Sequence, residues 1–365
     1  MTLAYNSDQQ TFRLSVSDSM KRTRPVSTLR DWRNTVEDDD RVRAGVAGLL
    51  DLFLMTVPEA HGGGGFAFAD IAAGIEQFGV GLLPGSSSPT LTAVLALVFG
   101  VSSDEAAAAA ANVAVDARAA VSICATSVRA DTRDDGTFEL TGRLPVVDGA
   151  AHATRLLCSA NTPDGIGVFL VDITGPTVAR QTLQTLDLTR DACEIVLDAT
   201  AVRRLRRSDG REVLRVRAVA ALVASLESVG AMEALMTMAT SYALERFQFG
   251  RQIGSYQAVK HRLVNMQVEL ELARAATMGA VEKVDREGVD SFVSAASVAK
   301  AACAEAGPFV AHEAIGVSGG IGYCWEHDAH LYLRRLNYLS AMHGAAAEHL
   351  DTVIDELTRE SGRAR

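Results

Sequence analysis

Apolar and polar positions change their period twice along the chain. Residues 8–14 and 28–54 place apolar side chains near helical spacing, and the second stretch ends at Val57-Pro58-Glu59-Ala60-His61 and the breaker run Gly62-Gly63-Gly64-Gly65. Residues 66–78 read as helix again, stopping at Gly79; residues 84–89 read as a loop, and 90–97 and 104–111 as Ala/Leu-rich helices. Alanine favours helix but buries little, so the last of these is expected to lie close against a neighbour. From Asp116 to about Asp198 the pattern shortens to strands at 120–125, 138–147, 155–161, 165–172 and 194–197. Turns fall at Asp134-Asp135-Gly136 and Thr162-Pro163-Asp164-Gly165. Strand after strand with no helix between them predicts an antiparallel barrel or sandwich. The helical period returns from Arg211. Residues 216–242 are long and apolar, and Tyr256, Val259, Leu263, Met266, Leu270 and Ala273 step by threes and fours. Residues 291–317 are Ala/Val-rich, and 331–350 with a charged tail complete the chain. The expected organisation is a helical domain over 1–115, a β domain over 116–210 and a helical bundle over 211–365.

Composition narrows the function. With 365 residues, 48% of them hydrophobic and 22% charged, the chain can build a sizeable core and is not a disordered polymer. A net charge of −10 argues against nucleic-acid and anionic-membrane partners, whose surfaces are themselves negative. The apolar stretches near 91–101 and 106–115 fall short of the roughly 20 residues a bilayer span needs, so no membrane span is expected. The start, Met1-Thr2-Leu3-Ala4-Tyr5-Asn6-Ser7-Asp8, has neither the basic nor the apolar part of a secretory leader, so a cytoplasmic location is expected. Cys124, Cys158, Cys193, Cys303 and Cys324 are scattered, with no zinc or disulfide spacing, and read as small buried hydrophobes. His327 and His330 have a spacing that can share a metal, but no third ligand is evident and no metal is expected. Lys21, Lys260, Lys283 and Lys300 are the only lysines, which leaves arginine to supply bidentate contacts to phosphate or carboxylate.

Two segments carry candidate chemistry. Glu245-Arg246-Phe247-Gln248-Phe249-Gly250-Arg251-Gln252-Ile253-Gly254-Ser255-Tyr256-Gln257 breaks two long helices. A loop feeding a helix start offers free N–H groups beside arginines, which suits a pyrophosphate; a plain helix–helix turn with solvated arginines is the alternative. Gly316-Val317-Ser318-Gly319-Gly320-Ile321-Gly322-Tyr323 lets a backbone approach a ligand closely, although a helix C-cap accounts for part of it.

Taken in order, RFQFGRQIGSYQAVKHRLVNM and SGGIGYCWEHDAHLYLRR resemble the two C-terminal signatures of flavin-dependent acyl-CoA dehydrogenases. Upstream, Val57-Pro58-Glu59-Ala60-His61-Gly62-Gly63, the central strand 138–149 and Leu188-Thr189-Arg190 are similar to further family features. The resemblance implies an α+β fold: an N-terminal helical domain, a middle antiparallel β-barrel and a C-terminal four-helix bundle. It implies that Arg246 reaches across a subunit interface to the pyrophosphate of a neighbour's FAD, that Gln248 and Phe249 touch the same cofactor, and that Gly319 and Gly320 meet its adenine end. It implies an acyl-CoA substrate, an electron-transfer flavoprotein or similar acceptor, and an oligomer, either a homotetramer or an α2β2 pair.

The departures from the family are as informative. Its reaction removes an α-proton with a carboxylate while a β-hydride passes to the flavin. One family position for that acid falls in Tyr338-Leu339-Ser340-Ala341-Met342-His343-Gly344, which holds none, and the other reads Ala220, ten residues before Gly230. Glu227 and Glu233 lie off that register and read as polar-face residues; His343 is the speculative alternative base. The flavin loop expected after residues 120–125 is cut short at Thr126-Ser127-Val128-Arg129, and the Trp and Thr expected near Val146 and Asp148 are absent. Gly316 stands where the family has glutamine. The leading expectation is therefore a non-catalytic partner in a heteromeric dehydrogenase, similar to bacterial enzymes acting on steroid side-chain CoA thioesters, with its own flavin half-site in doubt. A homomeric enzyme with a relocated base and a cofactor-free scaffold are the alternatives.

Overall fold

A computed structural model describes residues 5–23, 26–34, 50–123, 127–205, 211–286 and 291–363. Helix α1 (Ser7–Thr23) lies across α3 (Phe68–Val80), tied by Tyr5 Oη to Glu76 at 2.7 Å and by Gln9 to Asp70 at 3.1 Å. The helix expected over 28–54 is a 3-10 helix, Val26–Asn34, and a short α2, Leu50–Leu54; the stretch 35–49 lies outside the described residues. The breaker run after Pro58 folds back on itself, Gly65 N donating to Val57 O at 2.9 Å. Helix α4 (Ser87–Leu95) continues into a π-helical turn, Ala96–Val101, and α5 (Asp104–Asp116) starts at Ser103, whose Oγ accepts from Ala106 N. Phe68, Ile71, Ile75, Phe78, Leu91 and Val94 are buried in a core that continues into the C-terminal helices through Val216, Leu222 and Phe292.

Seven strands follow: β1 (Ala119–Ser122), β2 (Val128–Thr132), β3 (Phe138–Val147), β4 (Arg155–Thr162), β5 (Gly165–Asp172), β6 (Val178–Thr182) and β7 (Cys193–Val202). Strands β2 and β6 are not among the strands the apolar pattern predicts, and β7 runs on to Val202, past the predicted end at Leu197. The expected antiparallel barrel is corrected in two respects. β1 and β2 both run parallel to β4, in succession along one of its edges, while β5 pairs antiparallel on the other. The sheet then continues through β3, β7 and β6, and among the described residues β5 meets the chain beyond β7 through the isolated bridge Phe169–Arg204 and a side-chain hydrogen bond from Arg204 to Ile166 O, not through a strand ladder. That is a curled open sheet, not a closed barrel. Of the strand expected over 120–125, residues 124 and 125 lie outside the described residues.

The bundle begins with α6 (Arg211–Glu245), then α7 (Gln257–Arg286), α8 (Phe292–Ser318), α9 (Ala329–Ala341) and α10 (Ala346–Arg363). The helix expected over 331–350 is thus two, broken at Met342–Ala345 where His343 and Gly344 take positive φ. Helix α6 is long and apolar enough to cross a bilayer, which the shorter apolar stretches are not, yet 83% of its most apolar stretch is buried in the protein itself. It is the central helix of the fold. It crosses α3 so closely that a Cβ on Gly79 would collide with the Glu227 carbonyl, and one on Gly230 with the Glu76 carbonyl. Met266, Leu270 and Ala273 of the predicted α7 stripe are buried, with Val259 and Leu263 packed beside them. Of the cysteines expected to be buried, Cys158, Cys193 and Cys303 are; Cys324 is exposed, and Cys124 lies outside the described residues.

Candidate functional site

The candidate residues divide between an open rim and a sealed interior. At the rim, α6 ends in a two-residue hairpin, β8 (Phe247–Gln248) and β9 (Arg251–Gln252). Both turn residues have positive φ, +52° at Phe249 and +79° at Gly250, the mirror-image turn that suits a right-twisted hairpin. Asn or Gly normally fills the first of these positions, so an aromatic residue there is strained. Phe249 is nonetheless 92% exposed. The hairpin is braced from behind: Ile253 N donates to Arg246 O at 2.8 Å, Gln252 Nε2 to Leu244 O at 2.6 Å, and Arg251 stacks over Tyr256 at 4.0 Å. Arg246 and Gln248 are exposed, and among the described residues no ion pair or hydrogen bond engages the Arg246 guanidinium.

Gly319 and Gly320 open the 3-10 turn after α8. Gly319 holds φ +66° and ψ −143°, a conformation left to glycine, and a Cβ on either residue would meet nothing within 4 Å. This chain's own packing therefore does not require the missing side chains. Arg262 near the start of α7 lies against Gly316 and Glu313 near the end of α8. Hairpin and glycine turn thus sit at the same end of the α7–α8 pair.

The interior lies between the sheet and the bundle. A cavity of about 10 Å³ is lined by Ser88, Val121, Asp148, Arg190, Glu227 and His343, among others. That volume admits about one water molecule. Charged groups from four parts of the chain fill the surrounding space. Glu227 on α6 accepts from Ser88 Oγ, from Arg190 Nη2 and, at 3.2 Å, from Arg335 Nη1 on α9. Arg335 also donates to Asp187, to Thr189 Oγ1 at 2.6 Å and to Leu83 O at 3.1 Å. Arg190 lies 3.5 Å from Asp148 at the end of β3. Burial pushes Asp148 up despite the Arg190 charge, and holds neighbouring Asp191 up at about 6. Burial works the same way on Asp187, but Arg335 and Arg190 outweigh it and hold that carboxyl below its ordinary range.

The α9–α10 connection, where the resemblance places a catalytic acid, is pinned by cations. Lys300 on α8 donates to Ser340 O at 2.9 Å and Gly344 O at 3.0 Å. Arg217 on α6 donates to His343 O at 3.3 Å and to Glu348 at 2.9 Å, and His349 meets the same carbonyl at 3.1 Å. Burial, with Lys300 and Arg190 nearby, pushes His343 down to about 3. So weak a base is poorly matched to removing an α-proton near neutral pH. Ala220 is buried in α6 and offers no chemistry. Glu227, expected on a polar face, is instead a buried member of the interior network; Glu233 pairs with Arg13 and, at 3.0 Å, with Arg274. His330 stacks on Trp325 at 4.9 Å, and no group of three metal-ligating side chains occurs among the described residues.

These geometries test the expected FAD in two halves. The rim fits: an unengaged guanidinium, an outward aromatic ring and two side-chain-free glycines can meet a dinucleotide held by another chain. The interior does not fit a flavin ring or a thioester, since ligand pockets usually offer about 300 Å³ or more. The larger hollows, about 480 and 390 Å³, are open grooves lined by other residues, such as Asn112 and Arg155 in one and Leu14 and Met238 in the other.

The family model for "Acyl-CoA dehydrogenase, C-terminal domain" matches residues 216–358. Acyl-CoA dehydrogenase FadE34 of Mycobacterium tuberculosis is 33% identical over 330 residues, covering 89% of this chain; the chain spans only 43% of that relative's length. Among solved structures, a variant of the Tcur3481-Tcur3483 steroid ACAD is similar with a TM-score of 0.81 and 25% identity, covering 97% of this chain and 99% of the other. Butyryl-CoA dehydrogenase from Megasphaera elsdenii shares the fold with a TM-score of 0.86 at 18% identity, covering 98% and 100%.

Proposed function

The chain belongs to the acyl-CoA dehydrogenase family, whose chemistry is FAD-dependent, and from that premise we propose that it is the arginine-lending, non-catalytic member of a heteromeric dehydrogenase. One observation carries the proposal: the interior site is filled by Glu227, Arg190, Arg335 and Asp187 down to a cavity of about 10 Å³, while the rim stands open. Arg246, Gln248, Phe249, Gly319 and Gly320 contact an FAD seated in a homologous companion subunit, which holds the catalytic acid. When bound, that flavin accepts a hydride; this chain's residues hold its phosphates and cover its adenine end. The companion takes the acyl-CoA, with a bulky, steroid side-chain-like acyl group, and the complex passes electrons to an electron-transfer flavoprotein or similar acceptor in the cytoplasm. The three-domain division at 115/116 and 210/211 is part of the same reading.

Two comparisons support it. The name of the similar steroid ACAD joins two components, and FadE34 has, beside the matched region, a length greater than this whole chain, enough for a fused companion. The homomeric alternative with a relocated base finds less support. His343 is too weakly basic, and both oxygens of Glu227 are occupied by Ser88, Arg190 and Arg335.

The test is the absorbance from 300 to 500 nm of the chain expressed alone and co-expressed with a homologous subunit. A colourless chain alone and a yellow complex with one flavin per pair of unlike chains are expected. A flavin spectrum from this chain alone would overturn the reading.

A further inference from the structure

Helix α10 turns its apolar side the wrong way for a free-standing subunit. Among its described side chains, none joins any of the three hydrophobic clusters. Its inward face is mostly polar, with the half-buried Val353 between His349 and Glu356. His349 meets Ser297 Oγ at 3.2 Å, and Glu356 accepts from Arg211 at 3.1 Å through both oxygens. Leu350, Ile354 and Leu357, one stripe at spacings of four and three, are 47%, 60% and 55% exposed. Water gains nothing from such an arrangement, and surface ion pairs alone hold a helix weakly. The stripe calls for a cover.

Charge selects the cover. Asp351 and Asp355 flank the stripe on one side only, and no ion pair among the described residues engages either. Two copies of α10 packed antiparallel about a two-fold axis would set this acidic edge against itself, which disfavours a second copy of the chain. We infer that the outward face of α10 docks a helix of a non-identical polypeptide, apolar along one stripe and edged with Lys or Arg. The partner's identity as the companion subunit rests on the function proposed above; the surface itself does not. It would be a second contact, separate from the hairpin.

The full chain is titrated against three labelled 18-residue peptides and binding is read by fluorescence anisotropy. Two carry the same leucine stripe, edged with Lys or with Glu, and the third has the sequence of residues 346–363. The Lys-edged peptide is expected to bind at least about tenfold more tightly than the others, and to lose about fivefold with the Asp351→Asn, Asp355→Asn double variant. Ile354→Gln is expected to weaken it about tenfold, as removing a buried apolar side chain should. All three substitutions lie on the exposed face, and an unchanged circular dichroism melt confirms the fold. Equal binding of all three peptides, no binding, or indifference to Ile354→Gln overturns the inference; tightest binding of the 346–363 peptide points to self-association and overturns it too. Flavin content of the co-expressed complex is read separately. Its presence in a chain purified alone defeats the companion reading without touching this surface.

Discussion

Arginine does opposite work in two regions of this molecule. Arg190 and Arg335 are buried between the sheet and the bundle, where Asp148, Asp187 and Glu227 face them. Arg246 stands just past the end of α6, and among the described residues no ion pair or hydrogen bond engages its guanidinium. A buried guanidinium is committed to the fold, because withdrawing its partner leaves an uncompensated charge in a poor solvent. An exposed and unengaged one is free to meet another molecule. On the function proposed above, the part of the site that would hold a substrate is committed to stability here, and the part that would reach a neighbour is kept free.

The sharpest way to break this contrast is Glu227→Gln. It leaves two buried guanidiniums facing a neutral amide, so a loss of about 3–5 kcal/mol in chemical denaturation is expected. A loss below about 1 kcal/mol, the scale of an exposed pair, would mean that the network does not hold the interior shut.

Lys300→Met probes the loop beside the same interior. The substitution leaves the carbonyls of Ser340 and Gly344 without their donor, for an expected loss of about 1–3 kcal/mol at pH 7. The pH dependence follows from the ammonium, which burial pushes down to about 8 from an ordinary 10.5. Between those values the unfolded chain binds the proton more often than the folded one, so native stability rises with pH across that window. The gap between native and Lys300→Met chains should widen there by up to about 1.4 kcal/mol per pH unit. A gap constant from pH 7.5 to 10 would show that Lys300 is not enclosed as described.

How far these regions were legible in the sequence follows from how local their determinants are. β3 and β5 end where the alternation and the turns place them, and the α7 stripe is a matter of spacing alone. The hairpin candidates stand within a few residues of each other, so the resemblance could single them out where spacing alone left a plain turn as the alternative. β2 and β6 were not: Val128-Arg129-Ala130-Asp131-Thr132 and Val178-Ala179-Arg180-Gln181-Thr182 are too polar to announce themselves, and their pairing with β3 and β7 makes them strands. The open sheet depends on β1 and β2 sharing one edge of β4, which no local pattern encodes. The interior network joins residues as far apart as Asp187 and Arg335. A signal for Glu227 did exist, since it is the only charged residue between Arg217 and Glu233 in an otherwise apolar helix. Lys300, alone among alanines and valines, carried a similar one.

At the rim the same experiments should change sign or vanish. Phe249→Asn replaces a strained, exposed aromatic ring with the residue that the first turn position favours before glycine. The isolated chain should gain about 0.5–1 kcal/mol. Flavin retention by the co-expressed complex should fall. A stability loss in the isolated chain would mean that Phe249 packs against this chain and is not held out for another.

Arg246→Ala should have the smallest effect of all on the isolated chain, within about 0.5 kcal/mol of native, because no internal partner is lost. That absence of effect is its value. A residue whose removal leaves the subunit unmoved, and yet empties the complex of flavin, acts on a ligand the subunit does not itself enclose. Arg246→Lys refines the point, since lysine keeps the charge but loses the planar fork that grips a phosphate through two N–H groups. Flavin released per complex, measured by absorbance after denaturation, should therefore rank native first, Arg246→Lys second and Arg246→Ala last, while the three isolated chains melt together. If the complex keeps its full flavin with Arg246→Ala, the open rim is only a solvated turn, and the contrast with Arg190 and Arg335 reduces to one between buried and exposed charge.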